Sequence, residues 1–215
     1  MTKYFREPIN GITHLTGAIL SLFGLIALIV KVNLLHGSTV EYVAAIVFGV
    51  SMILLYSASA TYHSVISTDA VIKVLKKVDH SMIFVLIAGS YAPLCLIALK
   101  NSIGKNLFTA VIVCAVIGIA FKIAWVTCPK WLSSTIYIGI GWFAAFAIYP
   151  LSKVLDPAGI FFLFFGGALY TIGGVIYALK SKKIRIGSFG NHEIFHIFIM
   201  LGTLCHFICI FSYVL

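Results

Sequence analysis

The chain has 215 residues, of which 61% are hydrophobic and only 10% charged. Soluble domains are about half apolar and about a quarter charged. So short and apolar a chain therefore excludes a water-soluble globule, a disordered segment and a nucleic-acid-binding domain. Five cysteines (Cys95, Cys114, Cys128, Cys205, Cys209) are odd in number and lack a C-x-x-C pair, so they predict neither a disulfide framework nor a thiolate metal site. What remains is an all-α, polytopic membrane protein.

A membrane-crossing helix needs about 20 mainly apolar residues. Seven such runs follow one another, near 10–32, 41–63, 79–99, 105–126, 133–151, 158–180 and 191–213. Everything between them is short, so residues 1–215 are expected to form a single seven-helix domain. The first run is no signal peptide: it is too long, carries Asn10 and His14, and lacks a small-residue cleavage site. The segment from Val71 to Val78 alternates apolar residues with Lys73, Lys76 and Lys77 at helical period and predicts a stretch lying along the membrane surface. Pro93 and Pro150 are expected to bend their spans. Glycines such as Gly166, Gly167, Gly173 and Gly174 suit close helix packing, and the ten Tyr and seventeen Phe read mostly as lipid-facing or interfacial.

The 15 Lys and Arg against 6 Asp and Glu give a net charge of +9. The excess labels topology. Lys3, Arg6, Lys73, Lys76, Lys77, Lys130, Lys180, Lys182, Lys183 and Arg185 fall on one side, against Lys31, Lys100, Lys105 and Lys153 on the other. Positive residues favour the cytoplasmic side, so the N-terminus is expected in the cytoplasm and the C-terminus outside.

Ionisable residues inside spans are costly and mark function by default. In chain order they are His14; His63, with Ser59 one turn before it; Asp79 and His80; Lys122; and His192, Glu193, His196 and His206. On the expected topology, His14, Ser59, His63, Asp79, His192 and His196 share one depth near the cytoplasmic face. His192 and His196 stand one turn apart on one helix face, as do Ser59 and His63. Three imidazoles and one open position are the donor set of a catalytic zinc ion. Asp79 is placed to hold or deprotonate water, and Ser59 to donate to a substrate carbonyl oxygen. His80 is expected to point about 100° away from Asp79, His206 to be a buried, hydrogen-bonded histidine, and Lys122 to snorkel to the interface. His14 and Asn10 suit a supporting or interhelical hydrogen bond. His192-Glu193-x-x-His196 also matches H-E-x-x-H, which keeps a metalloprotease with Glu193 as base in competition. That alternative leaves His63 and Asp79 unexplained, and Glu193 is expected to face the loop or pair with a lysine.

Asn10-x-x-x-His14, Ser59-x-x-x-His63, Asp79-His80-Ser81-x-Ile83-Phe84, Ala88-Gly89-Ser90-Tyr91-x-Pro93 and His192-x-x-x-His196, in this order, resemble the haemolysin III family. This is the bacterial branch of the progestin and adipoQ receptor group, in a superfamily with alkaline ceramidases. The resemblance covers essentially the whole chain. It implies a multi-pass protein of the bacterial inner (plasma) membrane with Zn2+ held by His63, His192 and His196, Asp79 positioning water and Ser59 beside it. It also implies metal-dependent hydrolysis of a membrane lipid amide. Two other functions stay open: a zinc-containing receptor or regulator of membrane lipid state, and a haemolytic, pore-forming cytolysin.

Overall fold

The computed structural model describes residues 5–179, 185–187 and 189–215. Among them are seven helices long and apolar enough to cross a membrane: α1 (Pro8–Leu34), α2 (Thr39–Ser64), α3 (Asp69–Ala98), α4 (Ser102–Ala124), α5 (Lys130–Val154), α6 (Pro157–Leu179) and α7 (Asn191–Val214). Lys3, Lys180, Lys182 and Lys183, counted for topology, lie outside the described residues.

Local chemistry sets the turns. Ser38 and Glu41 form a reciprocal capping box at the start of α2, the Glu41 carboxylate accepting from the Ser38 backbone N–H at 2.6 Å. Asn101 Oδ1 accepts from the N–H groups of Ile103 and Gly104 at the start of α4. The Asp156 carboxylate accepts from the Ala158 N–H at the start of α6. Lys31 donates to the Phe211 carbonyl near the end of α7, and its ammonium lies 4.7 Å from the Phe211 ring centroid.

Two prolines mark changes of hydrogen-bond register within their spans. Pro93 has no N–H to donate, and beyond it α3 widens into a π-helix over Leu94–Ala98, closed by Leu99 N–H to the Leu94 carbonyl at 2.9 Å. In α5 a 3₁₀ stretch, Trp142–Ala147, precedes the short helix Ile148–Val154. Pro150 stands in the first turn of that helix, where its missing N–H costs nothing.

The third span differs from expectation. Its helix starts at Asp69, so residues 71–78 are the lower turns of α3 and not a separate surface helix. No breaker interrupts Asp69–Pro93, and the three lysines sit among apolar residues at a spacing that continues the helix. Asp79 is therefore ten residues into α3, about 15 Å along its axis. This excludes the helix-cap role such a carboxylate often plays.

Sequential spans pack on one another, α1 on α2, α2 on α3, α3 on α4, α5 on α6 and α6 on α7, and α7 returns to α1. Leu28, Phe48, Met52, Leu55 and Leu86 fill the space between the first three spans. Phe84, Tyr91, Val111 and Ile140 join α3 to α4 and α5. At Gly118 the backbone of α4 comes so close to the Phe84 ring that a methyl group would overlap it. Gly118→Ala is expected to lower stability by about 1–3 kcal/mol through overpacking. Thermal unfolding in detergent micelles checks this; an unchanged melting temperature would contradict it.

Lys122 does not snorkel. It is 1% exposed. Its ammonium donates to the Cys128 sulfur at 3.2 Å and to the Ser133 hydroxyl, and faces the Phe121 and Tyr137 rings. Polar groups from the α4–α5 turn and the start of α5 come to it, so it need not reach the surface.

Candidate metal centre

His14, Ser59, His63, Asp79, His192 and His196, but not Lys122 or His206, converge toward the end of the bundle where α1, α3 and α7 start and α2 finishes. His63 lies in the last turn of α2, one turn beyond Ser59; both are buried, at 1% and 2% exposure. His192 and His196 occupy the first two turns of α7. One ligand atom from each of His63, His192 and His196 lies within 4.8 Å of the other two. His63 Nε2 and His192 Nε2 face one another at 3.3 Å. The His63 and His196 rings are 4.9 Å apart, and those of His192 and His196 4.6 Å.

This donor set fits zinc. Two nitrogens bound to one tetrahedral ion at about 2.0–2.1 Å stand roughly 3.3 Å apart, the separation of the two Nε2 atoms. The Nδ1 atoms of His192 and His196 are buried without a hydrogen bond of normal geometry, so neither histidine is held by an alternative polar network.

Asp79, Ser59 and His14 line a cavity of about 120 Å³ together with His192 and His196. The Asp79 carboxylate is buried, receives a hydrogen bond from His80 Nδ1 at 3.1 Å, and is approached by the Ser59 hydroxyl. It lies outside the three-nitrogen group. Further along, the cavity wall is apolar, with Ile83, Leu86, Ile87, Ile138 and Ile199.

Several side chains behave differently from expectation. His80 is not turned away from Asp79: its helix position is offset, but the imidazole is long enough to fold back onto the neighbouring carboxylate, and the Tyr137 hydroxyl donates to the His80 carbonyl at 2.9 Å. Glu193 takes the loop-facing one of its two expected placements. Because α7 starts at Asn191, Glu193 falls in the first turn and its carboxylate accepts the Gly190 N–H at 2.9 Å and the Asn10 amide at 3.2 Å. Both carboxylate oxygens are thus engaged by the Gly190 N–H and the Asn10 amide and not by the three histidines. His14 stacks on His196 with ring centroids 3.7 Å apart, and its nitrogens also lack a hydrogen bond of normal geometry. The same holds for His206, which lines the far part of the cavity against Tyr170.

The tyrosines are not mainly lipid-facing. Tyr91, Tyr137, Tyr170 and Tyr177 line the cavity, and Tyr56 is buried with its hydroxyl on Thr203. Glu7 was overlooked altogether. Its carboxylate accepts from His63 Nδ1 at 2.8 Å and from the Asn10 amide at 3.0 Å. The hydrogen bond from His63 lowers its pKa to about 2. The available signal was its spacing from Asn10 and His14, i, i+3 and i+7, the period of one helix face. A search confined to the spans could not see it.

Similarity to known proteins agrees with this architecture. The family described as Haemolysin-III related matches residues 2–207. Hemolysin-3 of Bacillus cereus is 39% identical over 216 aligned positions, covering 100% of this chain and 95% of that protein. The Hemolysin-3 homolog of Bacillus subtilis (strain 168) is 39% identical over 209 positions, covering 97% of this chain and 94% of the relative. A more distant likeness, 32% over 69 residues, links 30% of the chain to 22% of the ADIPOR-like receptor IZH2 of Saccharomyces cerevisiae. With a family match over nearly its whole length, full-length relatives at this identity and seven helices able to span a membrane, this chain belongs to the haemolysin-III-related family.

Proposed function

We propose that the protein is a zinc-dependent hydrolase of membrane lipid amides, ceramidase-like in its chemistry. On this reading it is one seven-helix domain of the bacterial plasma membrane, with its N-terminus in the cytoplasm, its C-terminus outside and its metal centre near the cytoplasmic face. The observation that carries the reading is a group of three histidines, two of which, His192 and His196, line one largely apolar cavity together with a buried carboxylate and a serine hydroxyl.

His63, His192 and His196 would hold the zinc ion, which when bound supplies Lewis acidity that activates water and polarises a carbonyl. The lipid enters laterally from the inner leaflet and lays its acyl chain along Ile83, Leu86, Ile87 and Ile199, where apolar surface leaves contact with water. Asp79 takes the proton of the attacking water on one carboxylate oxygen, while His80 holds the other. Ser59 donates its hydroxyl hydrogen to the amide oxygen as negative charge develops there; as the C–N bond breaks, Asp79 passes the proton it took to the departing amine nitrogen, which leaves a carboxylic acid and a free amine. The Tyr137 bond to the His80 carbonyl ties α5 to α3 at this level and limits movement of the carboxylate.

Hydrolysis of a fluorescent ceramide analogue by purified protein tests the reading. Free fatty acid should appear, stop on chelation and resume with added zinc. Absence of hydrolysis across lipid amides of varied headgroup, with zinc bound, would favour a second reading. In that reading the same centre belongs to a receptor or regulator of membrane lipid state, as the name of the distant yeast relative suggests.

A further inference from the structure

The Glu7 side chain is turned away from the backbone N–H groups that open its own helix. Glu7 precedes Pro8 at the N-cap position of α1, yet its side chain makes no capping hydrogen bond there. It reaches across to the end of α2 and grips one residue at two points. The Glu7 backbone N–H donates to the His63 carbonyl at 2.9 Å, and the Glu7 carboxylate accepts from His63 Nδ1 at 2.8 Å. The Arg6 N–H reaches the Ser64 carbonyl at 3.4 Å, and the Arg6 guanidinium lies 4.2 Å from the Tyr62 ring centroid, so the entry to α1 is fastened along the last turn of α2.

The consequence is chemical. A histidine whose Nδ1–H is held by a carboxylate must present its Nε2 lone pair on the opposite edge of the ring. That edge is the one facing His192 Nε2. A neutral, flipped His63 would instead turn a proton or a carbon toward the cluster. The same carboxylate accepts from the Asn10 amide, which in turn donates to Glu193 at the start of α7, the helix that carries His192 and His196. A single acidic residue outside the spans thus touches His63 and, through Asn10, reaches the helix bearing the other two histidines.

We infer that Glu7 is the positioning residue of the metal centre: it fixes the tautomer and ring orientation of His63 and, with Asn10, sets the register of α7 against α2. The inference rests on the metal-centre reading above. Carboxylates behind a metal-bound histidine raise its basicity and orient it, and their loss typically weakens metal binding about 10–100-fold.

The test uses the full-length protein in detergent, wild type against Glu7→Ala, Glu7→Gln and Glu7→Asp. Zinc affinity is measured by competition with a chromogenic chelator, and the coordination geometry by the visible absorption of Co2+-loaded protein. Glu7→Ala should bind zinc roughly 10–100-fold more weakly and change the Co2+ spectrum. Glu7→Gln keeps an acceptor but no charge and should fall between, and Glu7→Asp should recover part of the loss. Thermal unfolding of the metal-free proteins separates this from a folding effect, because a purely structural Glu7 lowers metal-free stability without moving the Co2+ spectrum. If Glu7→Ala does not fold, Asn10→Ala, which leaves the His63 bond in place, should still weaken zinc binding. Wild-type affinity and an unchanged Co2+ spectrum in Glu7→Ala would overturn the inference while leaving the metal centre intact; a wild type that binds no zinc would overturn both.

Discussion

Replacing His196 with alanine is expected to leave the purified protein without zinc. His196 is 1% exposed and sits between three other imidazoles, stacked on His14 and facing His63 and His192. Its loss cuts the donor set from three nitrogens to two, fewer protein ligands than catalytic zinc sites use. The fall in affinity should exceed the roughly 10–100-fold that follows loss of a supporting hydrogen bond. His14→Ala is the matched control: it removes the ring stacked at 3.7 Å on His196 but keeps all three proposed ligands, and should retain zinc. Elemental analysis after dialysis reads both. Wild-type zinc content in His196→Ala would reject the three-histidine centre.

The second large effect is expected at Asp79. Asparagine has nearly the same shape and can still accept the hydrogen bond from His80, but it cannot take a proton. Asp79→Asn should therefore keep its zinc and lose about 10²–10⁴-fold in turnover, the range a positioned general base supplies. The measurement is kcat on the lipid amide at saturating substrate, with zinc content determined on the same sample. Full turnover in Asp79→Asn would remove Asp79 from the chemistry. A variant that loses zinc as well would make Asp79 part of the metal-binding set.

Where the sequence succeeded and where it failed have physical causes. The seven spans were legible because about 20 apolar residues per crossing is a composition signal that needs no knowledge of contacts. The start of α3 was not, since Lys73, Lys76 and Lys77 erase the apolar run while leaving the helix intact. His63, His192 and His196 stood out because a polar group in so apolar a chain is conspicuous, and common depth brought them together before any packing was known. Roles that depend on a partner's arrival were hidden. Lys122 was free to snorkel until Cys128 and Ser133 folded back over it. Glu193 was expected to face the loop or meet a lysine, and only the start of α7 at Asn191 made it a cap. His80 was assigned by helical angle alone, which ignores the reach of an imidazole.

The tyrosines around the cavity have a consequence for wetting. The Tyr56 and Tyr170 hydroxyls both spend themselves on Thr203, which donates onward to the Ile199 carbonyl. The Tyr91 hydroxyl is engaged by the Gly141 carbonyl and the Ala144 N–H, and Thr171 is occupied by Trp142 and the Gly167 carbonyl. A hydroxyl whose bonds are already made has little to offer a water molecule, which needs 2–4 polar partners to settle in a buried site. To a passing hydrocarbon chain such a wall is a slick of ring faces and methylenes. Oxygen-rich on paper, this stretch of the lining is hydrocarbon-like in behaviour, and the places where water can gain a foothold are the histidines and Asp79 at the reactive end and the unbonded ring of His206 beyond it.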